Sequence, residues 1–340
     1  MFFRLALARM KGAAVPILAL LAASVGHAQT MDADRLIRAF QAQDQAVESV
    51  GYRLATANAD LCIGAKPDPG FLVQTLGQYD PAYRDAASRV LDLQGWPGVT
   101  AVAAGAPAEA AGLRVGDAVT AVNGIALPHR DTPNRAADYE PTEIAQYLLA
   151  AGFTRGRATL SLLRDGRTVT IDMPAAAACP AAFEVVPADR TNSGADGVRV
   201  QISSRMVALT TNNTDLAAVL AHELAHNVLR HRLRLDMLHV SRGLLGQFGR
   251  NAALIRQTET EADRLGIYLL ARAGYSPEAA LDFWRRLSAT VHTWGDATHP
   301  SWKARLAILQ AEADRIQATG QRGRTIELPE DLKRLIPTTP

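Results

Sequence analysis

The chain has 340 residues, 48% of them hydrophobic and 21% charged, with 25 Gly and 17 Pro. That composition belongs to a folded globular protein of about two domains and excludes collagen-like, coiled-coil and largely disordered chains. The 36 Lys+Arg against 34 Asp+Glu leave a net +2, with no basic surplus of the kind a nucleic-acid-binding surface needs.

The first element is a leader. Arg4, Arg9 and Lys11 precede an apolar stretch at 12–25, and Gly26-His27-Ala28 puts small residues where a signal peptidase cuts. A stretch of 14 residues is shorter than the ~20 that cross a bilayer. Residues 1–28 therefore read as a secretory signal peptide, and the chain as exported with no transmembrane segment after cleavage. Without the three leader cations, 33 basic residues face 34 acidic ones, a net −1. Export also gives Cys62 and Cys179, the chain's two cysteines, an oxidising compartment, and a disulfide across their 117 positions is expected.

Residues 32–58 read as a helix, because Leu36, Phe40, Val47, Val50 and Leu54 recur at helical spacing. The run 65–70, with Pro67, Pro69 and Gly70, breaks it. From 71 to 174 the texture is short β-like runs: strands at 99–102 and 118–122, a helix at 141–150, and a hairpin of 159–163 with 168–171 around Asp165-Gly166. Within this region Pro107-Ala108, Ala111-Gly112-Leu113, Gly116-Asp117, Val119 and Val122-Asn123-Gly124 follow a pattern that resembles the PDZ domains of bacterial proteases. The resemblance implies a module that takes a peptide, often a C-terminus, as an added strand. Gly95, Trp96, Gly98 and Val99 are then the candidate carboxylate loop, with Pro97 removing one donor. Cys62 and Cys179 flank the module, so it reads as an insertion at 67–175.

The rest is mixed and then helical. Residues 198–202 alternate as a half-buried strand. Helices are expected at 214–234, capped by Thr214-Asp215, then at 252–272, at 276–291 from Ser276-Pro277, and from Pro300 to about 320. The first of these carries His222-Glu223-Leu224-Ala225-His226. Two imidazoles four residues apart share one helix face and can reach one ion, and Glu223 beside them can serve as a base for water. With 8 His and 12 Glu in the chain, chance supplies roughly 0.007 such matches. His231, His239 and His292 fit no ligand spacing and read as surface or core residues.

His222 to His226 followed by Glu259-Thr260-Glu261-Ala262-Asp263 resembles the gluzincin zinc peptidases of the HtpX and CAAX prenyl protease type, in particular their soluble periplasmic members. The resemblance implies one Zn²⁺ per chain, Glu259 as third ligand and Asp263 behind a ligand histidine; Glu261, on the opposite helix face, is the competing ligand. It also implies that the strand with Val198, Val200 and Ile202 is an edge strand pairing with substrate, and that His299 or Arg305, in a His-Pro…Arg element, stabilises the oxyanion.

The expected fold is α+β: a mostly helical zincin peptidase core with a small edge-stranded sheet, plus a β-rich PDZ domain. The leader occupies 1–28, the core's N-terminal helix 29–66, the insertion 67–175 and the remaining core 176–340. The expected activity is zinc-dependent hydrolysis of unfolded or misassembled envelope proteins, with Glu223 as general base. The alternative is a chaperone-like client binder with little or no proteolysis.

Overall fold

The computed structural model describes residues 17–131, 138–241, 248–290 and 300–338, with side chains from Asp32 onward. The chain is α+β. Helix α1 (Ile17–Ala57) is its longest element. The start of the expected leader, residues 1–16, lies outside the described residues. Among the described residues no helix is long and apolar enough to cross a membrane.

After Cys62 the chain forms β1 (Lys66–Asp68) and then a smaller unit. This contains β2 (Phe71–Gln74), α2 (Arg84–Leu91), β3 (Gly98–Val102), α3 (Pro107–Ala110), β4 (Ala118–Val122), β5 (Ile125–Ala126), α4 (Glu140–Gly152), β6 (Arg157–Arg164) and β7 (Arg167–Pro174). The sheet runs β2-β3-β4-β6-β7, with β5 on β4, over a core that includes Val99, Val119, Phe153, Leu160, Leu162 and Met173. The β6–β7 hairpin turns at Asp165 (φ 49°) and Gly166 (φ 71°), the two left-handed positions that a tight hairpin needs. Helix α2 stands where the sequence suggested only β-like runs. Its Ala86, Ala87 and Leu91 bury against Ile37 of α1, a contact that local periodicity does not announce.

The chain leaves this unit through β8 (Ala176–Ala178), which pairs antiparallel with β1. Cys62 and Cys179, Cα atoms 5.3 Å apart, are disulfide-bonded beside that exit. Closing so long a loop removes ~4–5 kcal/mol of chain entropy from the unfolded state.

The larger unit begins with β9 (Ala182–Val186), β10 (Ser193–Ala195) and β11 (Arg199–Ser203), in the order β10-β11-β9. Helices α5 (Ser204–Val207), α6 (Asn213–Val228), α7 (His231–Met237), α8 (Gly249–Arg272), α9 (Pro277–Thr290), α10 (Trp302–Thr319) and α11 (Glu330–Lys333) follow. The single helix expected at 214–234 is two, because the chain turns at Arg230 with φ 50°. The cap also differs: Asn212 accepts from Thr214 N (2.9 Å) and Asp215 N (3.0 Å), while Asp215 accepts from Thr211 and Arg286.

Helix α1 belongs to both units. Toward its middle, Gln45 exchanges two hydrogen bonds with the Val102 backbone (2.6 and 3.0 Å), and Gln41 donates to Thr100 O, completing β3 where β4 has diverged. Farther along, Val47, Val50, Leu54 and Ala55 enter the larger core. Gly51 admits the Phe183 ring, which a Cβ would meet at 2.3 Å. Serving two partners shifts the apolar stripe: Ile37 is buried while Leu36, expected inside, is 39% exposed.

The seam between α1 and the smaller unit holds three carboxyls. Burial pushes Asp44 up to about 7, opposed by a hydrogen bond from Gln74 and aided by Glu184. Burial, then Asp68 and Asp44, push Glu48 up to about 8, and burial raises Asp68. Such groups bind protons in the folded chain that the unfolded chain has lost, between roughly pH 4 and pH 8, so stability falls as pH rises through that window. The melting temperature is expected to be higher at pH 5.5 than at pH 8, and Glu48→Gln should shrink the difference; an equal difference in the variant would contradict this.

Helices α6 and α8 cross closely at Gly266, where a Cβ would sit 3.1 Å from His222 Cα and 3.2 Å from its N. Leu220, Leu224 and Leu265, each at most 1% exposed, fill the surrounding core. Gly266→Val should force the helices apart and cost about 1–3 kcal/mol. Thermal unfolding followed by circular dichroism checks this, and an unchanged midpoint would show that the crossing has slack.

Candidate metal centre

Helix α6 presents His222 and His226 one turn apart, and α8 runs past with Glu259 and Asp263 one turn apart on the facing side. His222 Nε2 lies 3.3 Å from His226 Nε2 and 3.4 Å from Glu259 Oε2, and His226 Nε2 lies 3.6 Å from Glu259 Oε1. Among the described residues these three form a group whose donor atoms converge as a metal requires. Tetrahedral bonds of about 2.0–2.2 Å give donor separations of about 3.3–3.6 Å, so the side chains fit a zinc-sized ion. Glu261, the competing ligand, points elsewhere: it accepts from His231 Nε2 (3.1 Å), Arg234 Nη2 (2.6 Å) and Gln257 Nε2 (2.8 Å).

Asp263 stands behind the triangle. Its Oδ1 lies 3.0 Å from His222 Nδ1. Burial disfavours its charge, but Arg305 and His222 hold it below the usual carboxylate range. Burial likewise disfavours a charge on His222, yet hydrogen bonds to Asp263 and Glu259 hold its pKa up, to about 10. Burial and His222 push His226 down to about 3, which leaves its ring neutral. Glu259 and Asp263 thus flank His222 with negative charge.

Glu223 is 6% exposed beside the triangle, and burial raises its pKa. Ser193 Oγ donates to Glu223 Oε1 at 2.7 Å. Ser193 opens β10, and a serine in a short strand thirty positions upstream carried no sequence signal.

Three expectations change. Val200 and Ile202 are fully buried on β11, whose edges are both taken, by β10 and β9; Val198 is 67% exposed just before the strand. The strand at the end of that sheet near Glu223 is β10, too short to show alternation. In the smaller unit, Gly98 and Val99 lie on β3 between β2 and β4, with Gly95 and Trp96 in the preceding loop. The strand at the end of this sheet is β2. Arg305 gives Nε (2.8 Å) and Nη2 (2.6 Å) to Asp263 and lies against the Trp284 and Trp302 rings, so it braces a carboxylate instead of presenting an oxyanion donor. His299 lies outside the described residues. His231, read from sequence as a bystander, is 2% exposed with Nδ1 2.9 Å from His226 Nδ1.

Parts of the chain are similar to known proteins. Residues 191–254 and 238–313 match peptidase family M48, and residues 98–151 match the PDZ domain. The chain is 32% identical over 137 residues to the mitochondrial metalloendopeptidase OMA1 of Schizosaccharomyces pombe, covering 34% of this chain and 41% of that one. It is 30% identical over 138 residues to the beta-barrel assembly-enhancing protease of Yersinia pestis (32% and 28%), and 27% identical over 172 residues to that of Escherichia coli K12 (41% and 35%). The match spans less than half the length of each of these relatives. The chain thus carries a stretch that matches the PDZ domain followed by one that matches peptidase family M48.

Proposed function

We propose that this chain is an exported, zinc-dependent endopeptidase that hydrolyses unfolded or misassembled proteins of the bacterial cell envelope. The observation that carries the reading is the convergence of His222, His226 and Glu259 beside the buried carboxylate of Glu223. Held by those three side chains, zinc would polarise the scissile carbonyl and bring the pKa of water toward ~7. Glu223 takes the proton of the attacking water and passes it to the leaving amine, with no covalent intermediate. Ser193 holds the Glu223 carboxylate in place through Oε1. An extended substrate added to the outer edge of β10 lies alongside Glu223, and main-chain pairing there is indifferent to sequence, as unfolded clients require.

Residues 67–175 are read as an inserted PDZ domain that recruits clients by strand addition at β2. The expected leader and the disulfide support export.

The purified protein should contain about one zinc per chain by elemental analysis, cleave casein, and stop when a chelator is added. Glu223→Gln should keep the zinc and lose at least ~10²-fold in kcat/KM, whereas His222→Ala should lose the zinc. Full cleavage by Glu223→Gln would sink the mechanism, and a metal-free wild type would sink the reading.

A further inference from the structure

His231 and Glu261 form a relay behind the metal triangle, and this inference rests on the zinc peptidase reading. A carboxylate only accepts, so Glu261 Oε2, 3.1 Å from His231 Nε2, requires the His231 proton on Nε2. A neutral imidazole has one N–H, so His231 Nδ1 is an acceptor. That acceptor lies 2.9 Å from His226 Nδ1, which must therefore be the donor. The lone pair of His226 is then on Nε2, the atom that faces His222 and Glu259. Arg234 Nη2 and Gln257 Nε2 also donate to Glu261, anchoring the far end and balancing its charge.

We propose that His231 and Glu261 are positioning residues that set the tautomer and ring orientation of His226, so that its Nε2 is ready for the metal. Behind the other ligand histidine, Asp263 Oδ1 lies 3.0 Å from His222 Nδ1 with no imidazole between. Ligand histidines ordinarily give their second N–H to a carboxylate, a carbonyl or water; here an imidazole stands between ligand and carboxylate. The left-handed residue Arg230 makes this possible. It ends α6 and starts α7 in a new direction, with His231 at the first position beneath His226.

Long-range proton–nitrogen NMR on the ¹⁵N-histidine-labelled full chain with zinc should find His231 protonated on Nε2 and His226 on Nδ1. Chelator competition should find zinc bound 10–100-fold more weakly by His231→Leu and by Glu261→Ala. His231→Asn, whose side-chain oxygen can occupy the Nδ1 position, should recover most of the affinity; a purely structural role would not discriminate between Leu and Asn. Circular dichroism identifies any variant that fails to fold, and the tautomer measurement needs no variant. A His231 proton on Nδ1, or zinc affinity within twofold of wild type in His231→Leu, would overturn the relay while leaving the peptidase reading intact. Absence of zinc from the unaltered chain would overturn both.

Discussion

The close crossing of α6 and α8 is the constraint on which the rest of the structure depends. Two of the three proposed ligands sit on one helix and the third on the other, so the triangle exists only at one interhelical distance. Gly266 sets that distance by letting the α8 backbone lie against the backbone of His222. The same α8 stripe carries Glu259, Asp263 and Gly266 at intervals of four and three, so the ligand, the carboxylate behind His222 and the contact point share one face. Arg305 of α10 then pins Asp263 with two short hydrogen bonds. The cluster is buried, where its charge-assisted bonds are strong and removal of one partner is costly.

The second organising element is α1, which the two cores share. Its apolar residues complete the larger core, while Gln41 and Gln45 close the hydrogen bonds of β3 in the smaller one and Ser49 accepts from Ala104 N just beyond it. The chain departs from the larger unit after Cys62 and returns by Cys179, so the β1–β8 pair and the disulfide hold the two connections side by side. One continuous helix, one strand pair and one covalent bond therefore join the units, and the three carboxyls in the seam make that junction sensitive to proton concentration.

Much of this was legible in the sequence where the signal was local. The His222 to His226 spacing, the strands at 99–102 and 118–122, the Asp165-Gly166 hairpin and the α4 and α8 helices all follow from short-range periodicity and turn chemistry. Glu259 and Asp263 were reached through a family resemblance, and the geometry gathers them at the site. Ser193 and His231 were not legible. Ser193 belongs to a three-residue strand, too short to alternate, and reaches Glu223 by tertiary packing. His231 lies five residues beyond His226, a spacing that in an unbroken helix faces away; the left-handed turn at Arg230 brings it back.

By itself the amino-acid sequence determined which donors exist and which of them share a helix face, because a helix places residues four apart in register without help from the rest of the chain. It also determined the lone cysteine pair and the turn residues that shape the smaller unit's sheet. Only the tertiary structure decided which strand ends each sheet, that Glu261 serves His231 and not the metal triangle, and that Arg305 braces Asp263. Those choices depend on how elements distant in the chain pack together. A carboxylate or guanidinium has no preference for one partner over another until packing and burial bring a single partner within reach.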